Sequence, residues 1–330
     1  MRNTRGWLTS EIATVHMLLL GAGCVGDAPV FPEPDADPTV DGAAGNDADF
    51  SDTGASTGPA DHLSEGPLLC DPTADFTSIE PVAELNGASD DEGPRLTPDE
   101  LVMYMTRRTG QGQPFQIYVA KRGSRGAEFG MPIPILLLAN ASGAMIATAQ
   151  NALYYSSDRG GADGYAHLYM AKPPFSAATS FALTEVNSTA SDDYAPYVSA
   201  DDTELYFVSD RPSNTDDNIH AAPRIDGKFT QPIVVAAVNS SASERSPVLS
   251  ADGLRLYFGS TRAKTNDYDI YVARRSERHG TFDDPSPVGE LNTTSLELPD
   301  WISPDDCTLY FRTDRPGGPG GRDIWRARRR

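Results

Sequence analysis

The chain repeats one short motif five times. Each copy has an aliphatic and aromatic core that is followed, after a polar loop, by a second run of the type Asp-Ile-Tyr. The tyrosine of the core recurs at intervals of 50, 52, 51 and 53 residues, as Tyr104, Tyr154, Tyr206, Tyr257 and Tyr310. Self-similarity at such a period is typical of propellers and solenoids. The repeat therefore restricts the expected architecture to a propeller or a solenoid.

The fourth copy shows what one unit contains. Its first apolar run, 247–250, is followed by Asp252 and Gly253, which have the chemistry of a tight hairpin turn. Residues 254–260 are rich in aromatic and aliphatic side chains, as a buried strand is. Further short strands are predicted at 269–273 and 287–292, and no segment has the helical period. Four short antiparallel strands in about 50 residues make one propeller blade.

The ends of the array predict a closed ring. The last copy stops after its third strand, whereas the segment 76–86, before the first copy, matches 282–292 in length and in its Phe, Pro-Val and Glu-Leu-Asn positions. This N-terminal segment is predicted to complete the last blade, which would remove the free strand edges of an open array. We therefore predict an all-β, five-bladed β-propeller of four-stranded antiparallel blades. Six blades would need a further copy, and a solenoid usually has shorter repeats and capping units.

The repeated pattern P-x-x-S-x-D-G-x-x-L-Y-F-x-S-x-R, followed by D-I-Y-x-A, resembles the TolB-like (WD-repeat-like) propeller family of bacterial envelope proteins. The resemblance covers residues 76–330 and depends on the repetition. The second copy departs from it, because 148–151 read Thr-Ala-Gln-Asn where Ser-x-Asp-Gly is expected, so its first strand is in question. TolB itself has an α/β domain before its propeller, of which 1–75 show no sign, and the resemblance does not imply a role in the Tol system.

Residues 25–75 have a different composition from the repeats. They consist mainly of Asp, Ala, Gly, Pro and Thr, and no Lys or Arg occurs between Arg5 and Arg95. Such a segment buries too little apolar surface to offset the entropy of ordering it. We expect a disordered acidic tether here, ahead of a single propeller domain at 76–330.

Residues 1–24 resemble a bacterial lipoprotein signal peptide. Basic residues precede the mostly apolar stretch 12–20, and Leu-Gly-Ala-Gly then leads to Cys24, which would be acylated after cleavage. The alternatives are plain secretion and an uncleaved or misassigned start. Because Val25 is not the Asp that commonly retains lipoproteins at the inner membrane, the expected location is the outer membrane, on its periplasmic or its exterior face. The apolar stretch is short for a spanning helix.

The remaining two cysteines could form a disulfide. Cys307 lies in the predicted turn between the first two strands of the last blade, and Cys70 lies just before the strand that completes this blade. A bridge would contribute roughly 4 kcal/mol by constraining so long a loop, and export favours it. Two unrelated free thiols are the alternative.

Charge and motifs exclude several functions. The net charge of −20 opposes nucleic acid as a partner, because phosphates would be repelled. Within the repeats at 76–330, the sequence has no zinc-protease motif, nucleophile elbow, P-loop or dinucleotide fingerprint, so we assign no catalytic residue. The arginines that recur after the second strand are expected to brace the blades; they are Arg159, Arg211, Arg262 and Arg315.

Acidic residues align across four copies where the fourth strand of one blade leads to the first strand of the next. They are Asp91, Asp193, Glu244 and Glu297, with Asp192 beside the second of them. An incomplete ring of acids at one channel mouth would suit a ligand or a hard cation such as Ca²⁺. Solvated loop charge is the alternative, and paired acids around the axis would suit a glycan-active hydrolase. Our first hypothesis is a non-catalytic, exported and lipid-anchored propeller that recognises an envelope protein or glycan.

Overall fold

The computed structural model describes residues 70–108, 110, 113–158, 163–211, 216–263 and 267–330. The predictions for the signal peptide, Cys24, most of the tether and Arg159 lie outside these residues. Five antiparallel sheets follow one another along the described chain. The innermost strand of each sheet contacts that of the next, and the last contacts the first. This arrangement confirms the five-bladed β-propeller.

The strands are numbered along the chain. The first strand, β1 (Ser78–Pro81), precedes the first complete blade. Blade 1 contains β2 (Asp90–Leu96), β3 (Val102–Arg108), β4 (Gln116–Lys121) and β5 (Ile133–Ala139). Blade 2 contains β6 (Ala141–Ala147), β7 (Ala152–Ser157), β8 (His167–Ala171) and β9 (Ser180–Ala182).

Blade 3 contains β10 (Asp193–Val198), β11 (Glu204–Ser209), β12 (Asn218–Ile225), β13 (Lys228–Phe229) and β14 (Ile233–Val234). Its outermost strand is split, because both β13 and β14 pair with β12. Blade 4 contains β15 (Glu244–Leu249), β16 (Arg255–Ser260), β17 (Asp269–Arg274) and β18 (Ser286–Pro287). Blade 5 contains β19 (Glu297–Ile302), β20 (Thr308–Thr313), β21 (Asp323–Arg328) and β1.

The N-terminal strand closes the ring as predicted. β1 pairs antiparallel with β21, from Ser78 opposite Arg328 to Pro81 opposite Trp325. Just before it, a disulfide joins Cys70 to Cys307 with the two Cα atoms 5.9 Å apart. Both ends of the described propeller are therefore held in blade 5.

The second copy, despite its altered turn, has a full inner strand. β6 pairs with β7, and a 3₁₀ turn at Thr148–Gln150 joins them. Asn151 takes a φ of 43° there, which is a backbone conformation that asparagine tolerates. A second 3₁₀ turn spans Ala177–Thr179. Among the described residues, no helix is long and apolar enough to cross a membrane.

The innermost strand of every blade has a β-bulge. The pairing register shifts within β2, β6, β10, β15 and β19. In four of them the bulge contains a residue with positive φ, namely Gly93, Gly143, Ala195 or Ser246. Bulges bend a strand and increase its twist. Here they lie along the axis, where the channel is lined.

Candidate functional site

The four aligned acids are buried inside the ring. Asp91, Asp193, Glu244 and Glu297 have no exposed surface. Each pairs with an arginine at the end of the second strand of its own blade, at 2.5 Å for Arg107, 3.1 Å for Arg211, 3.1 Å for Arg262 and 3.0 Å for Arg315. The acids and the arginines thus form one repeated ion pair per blade in four blades.

Glu297 illustrates the unit. Its carboxylate accepts hydrogen bonds from the backbone N–H of Thr293 at 3.0 Å and from the Thr293 hydroxyl at 2.6 Å. Arg315 also donates from Nη2 to the carbonyl oxygen of Leu291 at 2.6 Å. Since Leu291 lies in the connection that leaves blade 4, the arginine joins the inner strand of one blade to the preceding junction.

This geometry corrects the interpretation of these acids as a ligand-binding ring at the mouth. Their oxygens bind arginine and backbone donors, and their burial leaves no surface for a partner. Burial raises the pKa of Asp91, while Arg107 and the N–H of Gly87 act against this rise. Within the described ranges, no three His, Cys, Asp or Glu side chains gather as ligands of a metal ion would. The expected Ca²⁺ site is therefore not formed by these acids.

Asp192 is placed differently from the other four. It is half-buried and lines an axial cavity of about 470 Å³. Its Oδ1 accepts the N–H of Ala166 at 2.7 Å, and its own N–H donates to Oδ1 of Asp210 at 2.8 Å. Asp192 is thus the predicted site residue that the structure retains at a channel mouth, and Asp210 lines the same cavity.

The walls of this cavity come from the inner strands. The residue that follows the acid position lines it in all five blades, namely Glu92, Ser142, Tyr194, Arg245 and Leu298. A Cβ on Gly143 would lie 3.4 Å from the Cα of Ala195, so the bulges of blades 2 and 3 pack closely here. The bulges therefore narrow the channel beside the cavity.

A groove of about 810 Å³ opens next to the cavity, along blades 1 and 2. The two share Phe115, Ser142, Ser156, Asp192 and Tyr194, so they form one recess. We call this the mouth recess.

The mouth recess extends outward at the junction that departs from the repeat. Ala141 faces Ser157 in blade 2, as Asp193 faces Ser209 in blade 3, so alanine stands in the position of the acid. In addition, Asn140 alone separates β5 from β6. The longer connection that accompanies the ion pair in the other blades is missing at this junction, which leaves space for the groove.

Part of the charge in the recess is neutralised. Arg245 donates from Nε to Oδ2 of Asp217 at 2.6 Å, with its guanidinium 5.8 Å from the Tyr194 ring and 5.1 Å from the Tyr268 ring. Burial raises the pKa of Tyr194 further above neutral pH. Arg322 donates to Glu92 at 3.1 Å.

A buried charged cluster lies at the inner end of the recess, and none of its residues was among the predicted site residues. Arg312 donates to Oδ1 of Asp300 at 2.7 Å and to the hydroxyl of Ser246 at 2.8 Å. Arg95 and Asp300 are each 1% exposed. Burial raises the pKa of Asp300 to about 6. Four buried polar atoms of this cluster have no hydrogen-bond partner: Arg95 Nε, Arg95 Nη1, Asp300 Oδ2 and Arg312 Nε.

A signal for this cluster was present in the sequence. Asp300 occupies the position that Pro196 and Pro247 have in other copies, and Arg312 that of Val208 and Gly259. A charged residue at a position that is apolar or small elsewhere is costly to bury. Departures from the repeat would therefore have indicated these residues.

No protein-family model and no curated protein matches the chain. Similar solved structures include TolB from Acinetobacter baumannii, at 12% identity over 73% of this chain and 54% of that one, with a TM-score of 0.44. A thermostable family-43 glycoside hydrolase is 13% identical over 73% of this chain and 89% of that one, with a TM-score of 0.49. An endo-arabinase from Bacteroides thetaiotaomicron is 13% identical over 77% and 97%, with a TM-score of 0.47.

The chain spans about half the length of the Acinetobacter TolB that it matches. Likeness at this level carries no information on activity, ligand or partner. What the structure establishes is the fold, a five-bladed β-propeller in which the mouth recess is the candidate functional site.

Proposed function

We propose that this protein is an exported, non-catalytic binding propeller that recognises an envelope protein or glycan through the mouth recess. The observation that carries the proposal is the continuity of the axial cavity with the groove at the junction where Ala141 stands in the position of the acid. Export is supported by the lipoprotein-like segment 1–24 and by the disulfide between Cys70 and Cys307, which suits an oxidising compartment. Attachment to the membrane would be through Cys24.

The chemistry of the recess suits recognition. Phe115 and Tyr194 offer aromatic surface, Ser142 offers a hydroxyl, and Asp192 offers a carboxylate that lies outside the repeated ion pairs. Binding sites commonly combine apolar and aromatic walls with a few polar groups that fix orientation. Aromatic side chains with a polar atom are frequent where one side of a site is wet.

A glycan-active hydrolase is the second hypothesis. Most glycosidases need two carboxyl groups that flank the scissile bond. The four buried acids are unavailable for this, but Asp192 and Asp210 both line the cavity and are joined through the N–H of Asp192. This pair is the feature that favours the hypothesis.

The experiment is capture of envelope components by the full-length, oxidised protein, together with binding to a glycan array. Asp192→Asn and Phe115→Ala alter the recess, whereas Asp284→Asn and Phe181→Ala change the same residue types at exposed positions outside it. A ligand retained by the native protein and by the two controls, and lost by the recess variants, supports the proposal. Equal retention by all five proteins would overturn it. Release of sugar that stops in Asp192→Asn and Asp210→Asn would establish the hydrolase.

A further inference from the structure

The exposed apolar side chains of the ring are concentrated on one side of it. In the described part of the chain, the large apolar side chains that are exposed are Met131, Ile133, Leu136, Phe181, Ile225, Ile233 and Val234. All of them lie in or directly beside the outermost strands of blades 1, 2 and 3, and none lies in the described residues of blades 4 and 5. Grouped apolar surface on a soluble protein marks a place of contact with a partner or a membrane.

Several of these side chains lie at one level, by the hairpin that joins the third strand of a blade to its outer strand. Ile225 is opposite Lys228 in the hairpin of blade 3, and Phe181 is opposite Met170, near the end of β8. In blade 1, Ile133 is opposite Val119 near the end of β4. Equivalent hairpins of a propeller lie on the same face of the ring. We call Met131, Ile133, Phe181 and Ile225 the outer rim.

The lysines lie in the same hairpins. In the described part of the chain they are Lys121 at the end of β4, Lys172 directly after β8, and Lys228 in β13. Lysine places its aliphatic stem along apolar surface and keeps its ammonium group in water. Because Glu128 and Asp226 are exposed in these hairpins too, contact through the outer rim would depend on apolar surface more than on net charge.

The outer edges of these blades are poorly suited to pairing with another strand. Pro132 and Pro134 lie at the start of the outer edge of blade 1, and Pro232 precedes Ile233 in blade 3. Proline has no N–H to donate to a further strand, and proline at an edge is a common protection against strand addition. A partner of the outer rim would therefore contact side chains rather than extend the sheet.

The chain enters the ring on the face that carries the outer rim. Cys70 is bonded to Cys307, in the turn between β19 and β20. In an antiparallel blade this turn and the hairpin between the third and outer strands open on the same side. Residues 25–69 can span at most about 160 Å when fully extended. An acyl chain on Cys24 would thus keep the outer rim within reach of a bilayer.

We propose that the outer rim lies on the surface of a lipid bilayer, with its apolar side chains at the boundary of headgroups and acyl chains. The three lysines would hold their ammonium groups at the level of the lipid phosphates, as basic residues of interfacial proteins do. The hairpin of blade 4 presents the exposed Asp283 and Asp284 instead, so the ring rests on blades 1 to 3. The mouth recess, on the opposite face, is directed away from the membrane. The choice of a bilayer as the partner rests on the attachment through Cys24 that is part of the proposed function.

The test is sedimentation of the full chain with uncharged phosphatidylcholine vesicles. Cys24→Ser is introduced in every sample, so binding does not depend on acylation, and the segment 1–24 is common to all samples. Ile133→Ser and Ile225→Ser should each lower the partition coefficient about tenfold, which is the factor for transfer of one large apolar side chain from water. Leu136→Ser is the matched control and should change nothing, because Leu136 lies nearer to the recess end of β5, between Pro134 and Ala139.

A fluorescence reporter locates the contact. Tryptophan emission in Ile225→Trp should be quenched more than in the parent protein by vesicles of brominated phosphatidylcholine, whereas Asp284→Trp on blade 4 should add no quenching. Equal sedimentation of the parent, Ile133→Ser and Ile225→Ser would overturn the proposal. A dimer in solution that Ile225→Ser converts to a monomer would also overturn it, since the rim would then bind a second copy. Capture of a ligand by the mouth recess does not involve the rim, so each proposal can fail without the other.

Discussion

Arg262 donates to the carbonyl oxygen of Val238 at 2.5 Å, and this bond ties blade 4 to the connection that leaves blade 3. Arg107 forms the equivalent bond to Leu85 at 2.7 Å. Because each of these arginines also pairs with a buried acid, strand and junction are held by one group. The mouth recess opens where alanine replaces the acid. The repeated ion pair thus joins strand and junction in the blades that have the acid, and the recess lies where the acid is replaced.

Removing the arginine of one such unit should strongly destabilise the propeller. In Arg262→Ala the carboxylate of Glu244, which has no exposed surface, loses its counter-ion. Breaking a buried ion pair in this way costs about 3 kcal/mol. Urea unfolding measures the loss. Arg274→Ala, at an exposed position on the neighbouring strand, should change stability by less than about 0.5 kcal/mol. Similar losses in the two variants would contradict the assigned role.

Reduction of the disulfide should destabilise the ring without changing its fold. Cys70 and Cys307 are separated by 237 residues, and a cross-link over so long a loop restricts the unfolded chain. The expected loss of unfolding free energy in Cys307→Ser is about 4 kcal/mol. The measurement is urea unfolding with and without reductant. Reductant should have no effect on a variant with both cysteines replaced by serine, and an equal effect on that variant would reject the explanation.

Asp300 should make stability depend on pH. In the folded protein burial raises its pKa to about 6, although Arg312 and Arg95 oppose the rise and Glu92 adds to it. In the unfolded chain the carboxyl group titrates near its ordinary value of about 4. Between these values the folded state holds the proton more tightly, so the contribution of Asp300 to stability decreases as the pH rises from about 4 to about 6.

Asp300→Asn should remove this decrease. Relative to the native protein, the variant is expected to gain on the order of 3 kcal/mol between pH about 4 and pH about 7. Urea unfolding over this range measures the difference. Asp284→Asn changes an exposed carboxyl group and serves as the control. A constant difference between Asp300→Asn and the native protein across the range would show that Asp300 titrates normally.

The fold could be predicted from the sequence because the repeat carries it. The spacing of Tyr104, Tyr154, Tyr206, Tyr257 and Tyr310 gave five blades, and the segment 76–86 gave the closing strand. Each of these conclusions needs only one-dimensional similarity between copies. The split outer strand of blade 3 has no comparable signal, since its two pieces are two residues each.

The site was predicted less well, for a physical reason. A residue that recurs from blade to blade has the same structural surroundings in each of them. The aligned acids are an example, because each lies beside an arginine that follows it by 16 to 18 positions in the chain. Which carboxylate an arginine binds depends on strand pairing, which the spacing alone does not give. The informative positions were the exceptions: Ala141 in place of an acid, and Asp300 and Arg312 in place of apolar or small residues.

The bridge between Cys70 and Cys307 also determines how the ring would respond to a mechanical pull. Force applied to the chain ahead of Cys70 would pass through the sulfur atoms into the hairpin between β19 and β20, the two inner strands of blade 5. Without the bridge the same force would act on β1 and separate it from β21 one backbone hydrogen bond at a time. With the covalent link, the hydrogen bonds between β1 and β21 would no longer break one after another, and the strands of blade 5 would resist the force together.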